Sequence, residues 1–334
     1  MDLSLTGEQA ALVAALGDLY GTHASPERVR AAEPLGFDKG LWDQLLALGL
    51  IEMAVDEDAD HRASEVDLAL AAEQQGRAVA PAPVIEAQVA ARVLAAVGSP
   101  ALEPVLAGER LVTIALHPVN GGAARAVPAA AVADDAVVFD GERLLLVPLE
   151  GARTPFENVG AQPLADVAVP ADAHVLATGA EALAVHEEAV DDWLRLTAAA
   201  LVGIGARALE LGVAYVKERK AWGVPIGSFQ SVAHNLADAA TAIDGARLLA
   251  QEAAWAHDVD DPRAAELTAL AFAVATEAAR DASYKALHFH GGYGFTLEYD
   301  VQLYWRRARA WAAVWGEPAA AYRRAADARY GRTA

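Results

Sequence analysis

The clearest pattern in the chain runs from Phe229 to Ala253, where the apolar positions 229, 232, 236, 239, 243, 246, 250 and 253 recur at alternating spacings of three and four. Such spacing draws one narrow stripe down a helix. Most of its later members are alanine, so an opposing helix can approach closely, as in a tight bundle or a subunit interface. Ser228 is the expected N-cap. Upstream, Tyr215 to Trp222 reads as the end of another helix, because Gly223, Pro225 and Gly227 follow and neither residue type continues a helix well.

Towards the N-terminus, Thr6-Gly7-Glu8-Gln9 has the spacing of a capping box and opens a helix that runs towards Tyr20. Ser25-Pro26-Glu27 starts a second helix. Asp38 caps a third, with Leu41, Trp42, Leu45, Leu46 and Leu48 as its buried stripe and Gly49 as its stop. Ser64 caps a fourth that carries Val66, Leu68, Leu70 and Ala71, and after Pro81 and Pro83 a fifth carries Val89, Val93 and Leu94. From Leu111 the pattern changes to the short runs LVTIAL, AVVFDG, RLLLVPL and DVAVP, separated by Gly, Asp, Asn and Pro, which is strand-and-turn chemistry. Helices resume near Glu181 and include one from Pro262 to His290 that Gly291-Gly292 stops. The expected fold is α+β, mainly α: an N-terminal helical domain over 1–109, a small β domain over 110–179 and a C-terminal helical bundle over 180–334.

Composition narrows the partners. With 26 basic against 46 acidic residues the net charge is −20, which weighs against phosphate backbones and anionic membrane surfaces, so neither nucleic acid nor a membrane is an expected partner. The absence of Cys excludes disulfides, thiolate metal ligands and a Cys nucleophile. The opening MDLSLTGEQA lacks the basic and apolar regions of a signal peptide, and no run approaches the roughly 20 apolar residues that span a bilayer. A cytoplasmic location is expected. Gly203-Ile204-Gly205-Ala206-Arg207-Ala208 spells the dinucleotide fingerprint G-x-G-x-x-A, but it follows LRLTAAALV, which continues as helix, so close helix packing is the expected role. His288 and His290, two apart, point to different faces of a helix, and no metal site is expected from them. On the residues alone, Arg219 is either a solvated charge that complements a helix end or a guanidinium placed for a pyrophosphate.

The segments YVKERKAWGVPIGSFQSVAHNLADAAT (215–241) and ALHFHGGYGFTLEYDVQLYWRRARA (286–310) resemble the two C-terminal signatures of the acyl-CoA dehydrogenases, flavoenzymes that desaturate acyl-CoA thioesters. Their order along the chain matches as well. The resemblance implies that Arg219, Trp222, which stands where Phe is usual, and the Phe229-Gln230 pair hold the ADP half of FAD across a dimer interface. It also implies that the backbone of Gly291 and Gly292 approaches the same ADP portion, with His288 where many members have Gln.

Desaturation of this kind needs a carboxylate to take the proton beside the thioester carbonyl while the flavin takes hydride from the next carbon. In the resemblance, one base position falls on Trp315 within Val314-Trp315-Gly316-Glu317, and the alternative falls on Trp193. Asp192 and Glu317 are the neighbouring carboxylates that a shifted register would bring in, against the plainer reading of solvated helix-end charges. HPVNGGAARAV (117–127) occupies the neighbourhood of the family's flavin-facing loop and strand without matching either. Together with the Gly316-Glu317-Pro318 ending and the short chain, this resembles the small members that pair with a catalytic sibling, as in bacterial steroid side-chain degradation. The expectation is therefore an FAD-dependent subunit with an acyl-CoA substrate, a related chain as partner and a protein electron acceptor. Two alternatives stay open: a homomeric dehydrogenase with a displaced base, and a structural or regulatory partner without flavin.

Overall fold

The computed structural model describes residues 4–55 and 63–331, and along them the chain runs from helices to strands and back to helices. Local hydrogen bonding fixes most helix starts. At α1 (Gly7–His23), Thr6 and Gln9 exchange side-chain-to-backbone hydrogen bonds of 3.1 Å each, a complete capping box. After α2 (Pro26–Ala32), the Asp38 carboxylate accepts the Leu41 N–H at 3.0 Å to start α3 (Lys39–Ala47), and Arg28 clamps the same carboxylate at 2.8 Å. Leu41, Trp42 and Leu45 are buried, whereas Leu48 is 43% exposed because the helix has already ended at Ala47. Ser64 and Asp67 form the second capping box at α4 (Glu65–Ala78), and the other Asp67 oxygen accepts the Gln9 side-chain amide at 2.9 Å, tying α4 to α1. Next come α5 (Val84–Ala96) and α6 (Leu102–Leu106).

The strands are β1 (Val112–Ile114), β2 (Ala123–Val127), β3 (Asp135–Phe139), β4 (Arg143–Pro148), β5 (Arg153–Pro155), β6 (Ala165–Ala168) and β7 (His174–Thr178). They make two sheets, ordered β1-β3-β4-β7 and β2-β6-β5, in which only β1 and β3 pair in parallel. Every residue of β3 is buried, and it has a pairing strand on each side; Asp135 at its start is ion-paired with Arg110 at 2.6 Å, and the four residues after it are an unbroken apolar run. The expected runs correspond to β1, β3, β4 and β6. No run marked β2, β5 or β7; β5 is wholly exposed and β7 largely so, and such edges are held by ladder pairing rather than by side-chain burial.

Beyond β7 lie α7 (Gly179–Glu218), a short hairpin of β8 (Lys220–Ala221) and β9 (Val224–Pro225), then α8 (Gln230–Asp258), α9 (Ala264–His290), α10 (Val301–Ala313) and α11 (Pro318–Tyr330). The 40-residue α7 does contain a stretch long and apolar enough to cross a membrane, contrary to the sequence expectation, and 72% of that stretch is buried within the protein, as in a core helix. The chain divides by packing into two units, one of Met1–Pro26, Ser64–Ala80 and Arg195–Ala334, the other of Glu27–Ala63 and Pro81–Leu194. The boundaries expected at 109/110 and 179/180 mark the change between helix and strand, not these units.

In the first unit, the expected stripe on α8 is buried at Leu236, Ala239, Ile243, Ala246, Ala250 and Ala253, and α8 packs along α9 and against α4. Backbones approach closely here. A Cβ on Gly203 of α7 would strike the Glu73 carbonyl of α4, and one on Gly205 would strike Ile243 of α8 and lie 3.0 Å from Ala279 Cα of α9. The Gly-x-Gly pair is thus a helix-packing device, as expected, and not a phosphate loop. In return, a Cβ on Gly76 of α4 would strike the Ala200 carbonyl of α7. Gly203→Ala is expected to destabilise the chain by about 1–3 kcal/mol through overpacking. Gly245→Ala, at an exposed α8 position with nothing within 4 Å of the new methyl, is expected to stabilise it by about 0.5–1 kcal/mol. Denaturant titration of the pair checks both signs.

Candidate functional site

Arg219 is the first residue beyond α7, and the chain then reverses through Trp222 and Gly223, both left-handed with φ 50° and 83°. That pair of conformations is the tight turn that joins two antiparallel strands. The Ile226 N–H closes the hairpin on the Arg219 carbonyl at 2.8 Å. Trp222 is therefore held out at the tip, 92% exposed, with its ring edge-on to Phe229 at 5.8 Å. Arg219 is exposed, and its guanidinium makes no hydrogen bond or ion pair among the described residues. Phe229, not Ser228, precedes α8; the Ser228 hydroxyl is spent on the Pro225 carbonyl at 2.7 Å, so the expected cap is not made. Gln230 opens α8 on the exposed side.

The second group lies at the end of α9. Gly291 stops the helix with φ 62° and ψ −142°, a conformation only glycine adopts readily, and a Cβ on either Gly291 or Gly292 would meet open space. His288 is exposed and stacks on Tyr284 at 5.9 Å. His290 faces inward, as the two-residue spacing predicts: its Nδ1 is 2.7 Å from the Ala286 carbonyl and its ring lies on Tyr215 at 4.1 Å. Burial holds its pKa below the ordinary histidine value, which keeps the ring neutral. Tyr215 sits one turn before Arg219, whose N–H bonds the Tyr215 carbonyl at 2.8 Å. One stacked pair thus anchors the base of the hairpin and the start of the Gly-Gly turn, and both present an open, solvent-facing edge.

The candidate base positions are filled by indoles. Trp193 is 1% exposed on α7, and its N–H donates to Glu86 of α5 at 3.2 Å. Trp315 packs edge-on against the buried Phe272 at 5.4 Å. Each neighbouring carboxylate is engaged by an arginine. Asp192 is 3% exposed and ion-paired with Arg92 at 3.2 Å. Glu317 is exposed and held by both Arg280 terminal nitrogens, at 2.5 and 3.2 Å, which lowers its pKa. Sequence reasoning missed Glu86, whose carboxyl burial pushes above the ordinary carboxylate range against the opposing pull of its own backbone N–H and the Trp193 indole. Its signal was a lone acid inside VIEAQVAARVL, otherwise apolar almost all round. In 117–127, Gly121 and Gly122 form a tight turn closed by an Asn120–Ala123 bridge, and Asp166 accepts the Ala126 N–H at 2.9 Å to pin a bulge in β2.

Fold, signatures and site geometry converge on one class: the chain belongs to the acyl-CoA dehydrogenase family. The family of the acyl-CoA dehydrogenase C-terminal domain matches residues 183–325. Acyl-CoA dehydrogenase IpdE2 of Mycolicibacterium smegmatis is 31% identical over 329 residues, which covers 96% of this chain and 98% of that protein. Among solved structures, the steroid ACAD Tcur3481-Tcur3483 superposes with a TM-score of 0.85 at 26% identity, covering 96% of this chain and 97% of its own. The ChsE4-ChsE5 complex of Mycobacterium tuberculosis gives 0.89 at 24% identity, with both chains fully covered.

Glu86 makes stability depend on pH with a defined sign. Its folded pKa lies above the ordinary 4.5, so the folded state holds the proton more tightly than the unfolded one. The stability it contributes is complete below that value and is lost as pH rises through the folded pKa. Glu86→Gln is expected to remove this decline. Melting temperatures of both proteins measured from pH 4 to pH 8 should therefore diverge in favour of the variant as pH rises.

Proposed function

We propose that this chain is an FAD-binding subunit for the α,β-desaturation of an acyl-CoA thioester, and that a related acyl-CoA dehydrogenase chain completes the assembly. The observation that carries the reading is the hairpin edge: an exposed guanidinium without a described partner beside two edge-on aromatic rings. Its chemistry fits the ADP half of FAD. Arg219 is placed to give a pyrophosphate charge-assisted hydrogen bonds, Trp222 and Phe229 offer an aromatic surface, and Gln230 adds an amide. The second edge offers His288 and the unobstructed backbone at Gly291 and Gly292, suited to the cofactor held by the neighbouring chain. FAD, when bound, supplies the hydride acceptor.

Pairing with a related chain is supported by two neighbours whose names each join two proteins, Tcur3481-Tcur3483 and ChsE4-ChsE5. The first of these is a steroid enzyme, which favours a bulky lipid-derived acyl group and a place in lipid or steroid degradation. Trp193 and Trp315 support the pairing from within the chain, since an indole only donates and cannot take the substrate proton. A protein electron acceptor completes the cycle by reoxidising the flavin.

Co-expression with the related chain is expected to give a yellow complex, and the chain purified alone is expected to be colourless and without turnover. Colour and acyl-CoA-dependent reduction of an artificial acceptor by the chain alone would favour the homomeric enzyme instead. Light scattering of the co-expressed material should give a mass above that of one 34.9 kDa chain, and a single species at the monomer mass would count against the assembly.

Arg219→Ala is expected to lower FAD retention in the complex by about tenfold or more, since each charge-assisted hydrogen bond contributes about 1.5–3 kcal/mol. Its unfolding free energy should stay within about 0.5 kcal/mol of the parent, as for other surface substitutions. Flavin absorbance per chain and denaturant titration separate the two effects.

A further inference from the structure

The hairpin and the Gly-Gly turn meet at one ring. His290 is the last residue of α9, so the turn over Gly291–Phe295 leaves directly from it. That turn folds back on its own start: a Cβ on Gly294 would lie 3.2 Å from His290 Cβ and 2.7 Å from the Leu287 carbonyl oxygen. On its other side the His290 ring lies on Tyr215, with centroids 4.1 Å apart and planes at 22°, one turn before Arg219 and the hairpin. Tyr299 stands edge-on to both, 5.4 Å from His290 and 5.7 Å from Tyr215, and Tyr293 of the turn reaches Tyr299 at 5.7 Å. The His290 ring is thereby left 5% exposed. Its Nδ1 is 2.7 Å from the Ala286 carbonyl, which only accepts, so the single ring N–H is at Nδ1 and the lone pair at Nε2. Nε2 makes no hydrogen bond among the described residues. A second proton would place a charge there, among aromatic rings and away from water. No carboxylate, lysine or arginine acts on that charge among the described residues: burial lowers the His290 pKa against the opposing pull of the Ala286 carbonyl.

We propose that the stack of His290 on Tyr215 is an acid-labile joint, which holds the hairpin and the Gly-Gly turn in place while the imidazole is neutral and loosens both together when it is protonated. His290 and Tyr215 are positioning residues in this reading. Release of FAD from the loosened segments rests on the FAD-binding reading above, whereas the joint itself does not. The sign follows from the direction of the shift. The stacked ring binds its proton less tightly than a freed ring of ordinary pKa 6.5, so the joint is complete above 6.5 and is lost as pH falls through the lower folded value. The exposed His288 works in the opposite sense, since an imidazolium there would draw a phosphate closer.

The test follows amide hydrogen exchange in the full, flavin-free chain from pH 8 to pH 5.5, with each rate referred to that of an unstructured amide at the same pH. The reporters are the Ile226 N–H, bonded to the Arg219 carbonyl at 2.8 Å, and the Thr296 N–H, bonded to the Tyr293 carbonyl at 3.0 Å. Protection of both is expected to fall in parallel by about threefold to tenfold, the upper figure being the ratio of protonated to neutral imidazole at pH 5.5 for a freed ring. His290→Phe keeps a ring on Tyr215 but cannot titrate, so its protection should stay at its own pH 8 level. Tyr215→Leu decides the matter if His290→Phe does not fold: both reporters should be loosened already at pH 8, with no further fall. Constant protection in the parent, a fall at one reporter only, or the parental fall in His290→Phe would overturn the joint. The second readout is FAD retained by the complex over the same pH range, with His288→Gln in the background to remove the opposing charge. Retention should fall with the exchange protection, and level retention would overturn the release step. A complex that holds no FAD at any pH, with exchange as expected, would sink the cofactor reading and leave the joint standing.

Discussion

Contact between helix backbones is the constraint on which the larger helical unit depends. Alanine and glycine line the faces where α4, α7, α8 and α9 meet, so each side chain buries little apolar area and the contacts must be close to hold. Gly76 and Gly203 accept each other's helix, and Gly205 admits α8 and α9. A Cβ on Gly212, two turns further along α7, would lie 2.9 Å from Ala286 Cβ of α9. That last approach leads to Tyr215 and its stack on His290. The hairpin and the Gly-Gly turn take their positions from there, so the outward-facing edge is set by packing deep in the bundle.

What the sequence made legible follows from the range of the interactions involved. Capping boxes at Thr6 and Ser64 are closed within three residues, and the α8 stripe declares itself in its own spacing. The sequence extends the helix to Trp222 where the structure turns into a hairpin after Glu218, because Trp222 is an unusual residue for a left-handed position and nothing local announces it. Ser228 has the residue type of a cap, but its hydroxyl donates to the Pro225 carbonyl and accepts no N–H of α8. Strands β2 and β5 depend on β6, which lies about 40 and about 12 residues away respectively in the pairing register, and β5 has no apolar signature of its own. Arg219, Trp222, His288 and the glycines become candidates only through whole signatures, since one arginine at a helix end carries little information alone.

Carboxyl chemistry was the least legible part, because the deciding partners are distant in sequence. Arg92 holds Asp192 and Arg280 holds Glu317, and neither pairing can be read from the residues flanking the acid. The same logic governs the buried pair of Glu65 and Arg195, 2.7 Å apart and nearly inaccessible to water. A buried charge is tolerated when an opposite charge and further hydrogen bonds attend it, and Asp258 adds to this cluster by accepting the Glu65 N–H at 2.8 Å. Burial, reinforced by the charge of Glu65, raises the Asp258 pKa. Most buried acids among the described residues therefore have a cation beside them. Glu86 has an indole instead, which supplies direction without charge.

The hairpin tip also gives the chain an optical handle. Of the seven tryptophans, Trp222 alone is exposed, while the other six are buried or partly so. An indole in full contact with water emits at longer wavelength and is reached by dissolved quenchers, whereas sheltered indoles respond weakly to both. The long-wavelength, iodide-sensitive component of the chain's intrinsic fluorescence therefore comes from a single ring at the tip of the hairpin. Whatever covers that edge, a flavin or a second chain, must shift and shield this one emitter, so occupancy of the edge can be followed in real time without a label.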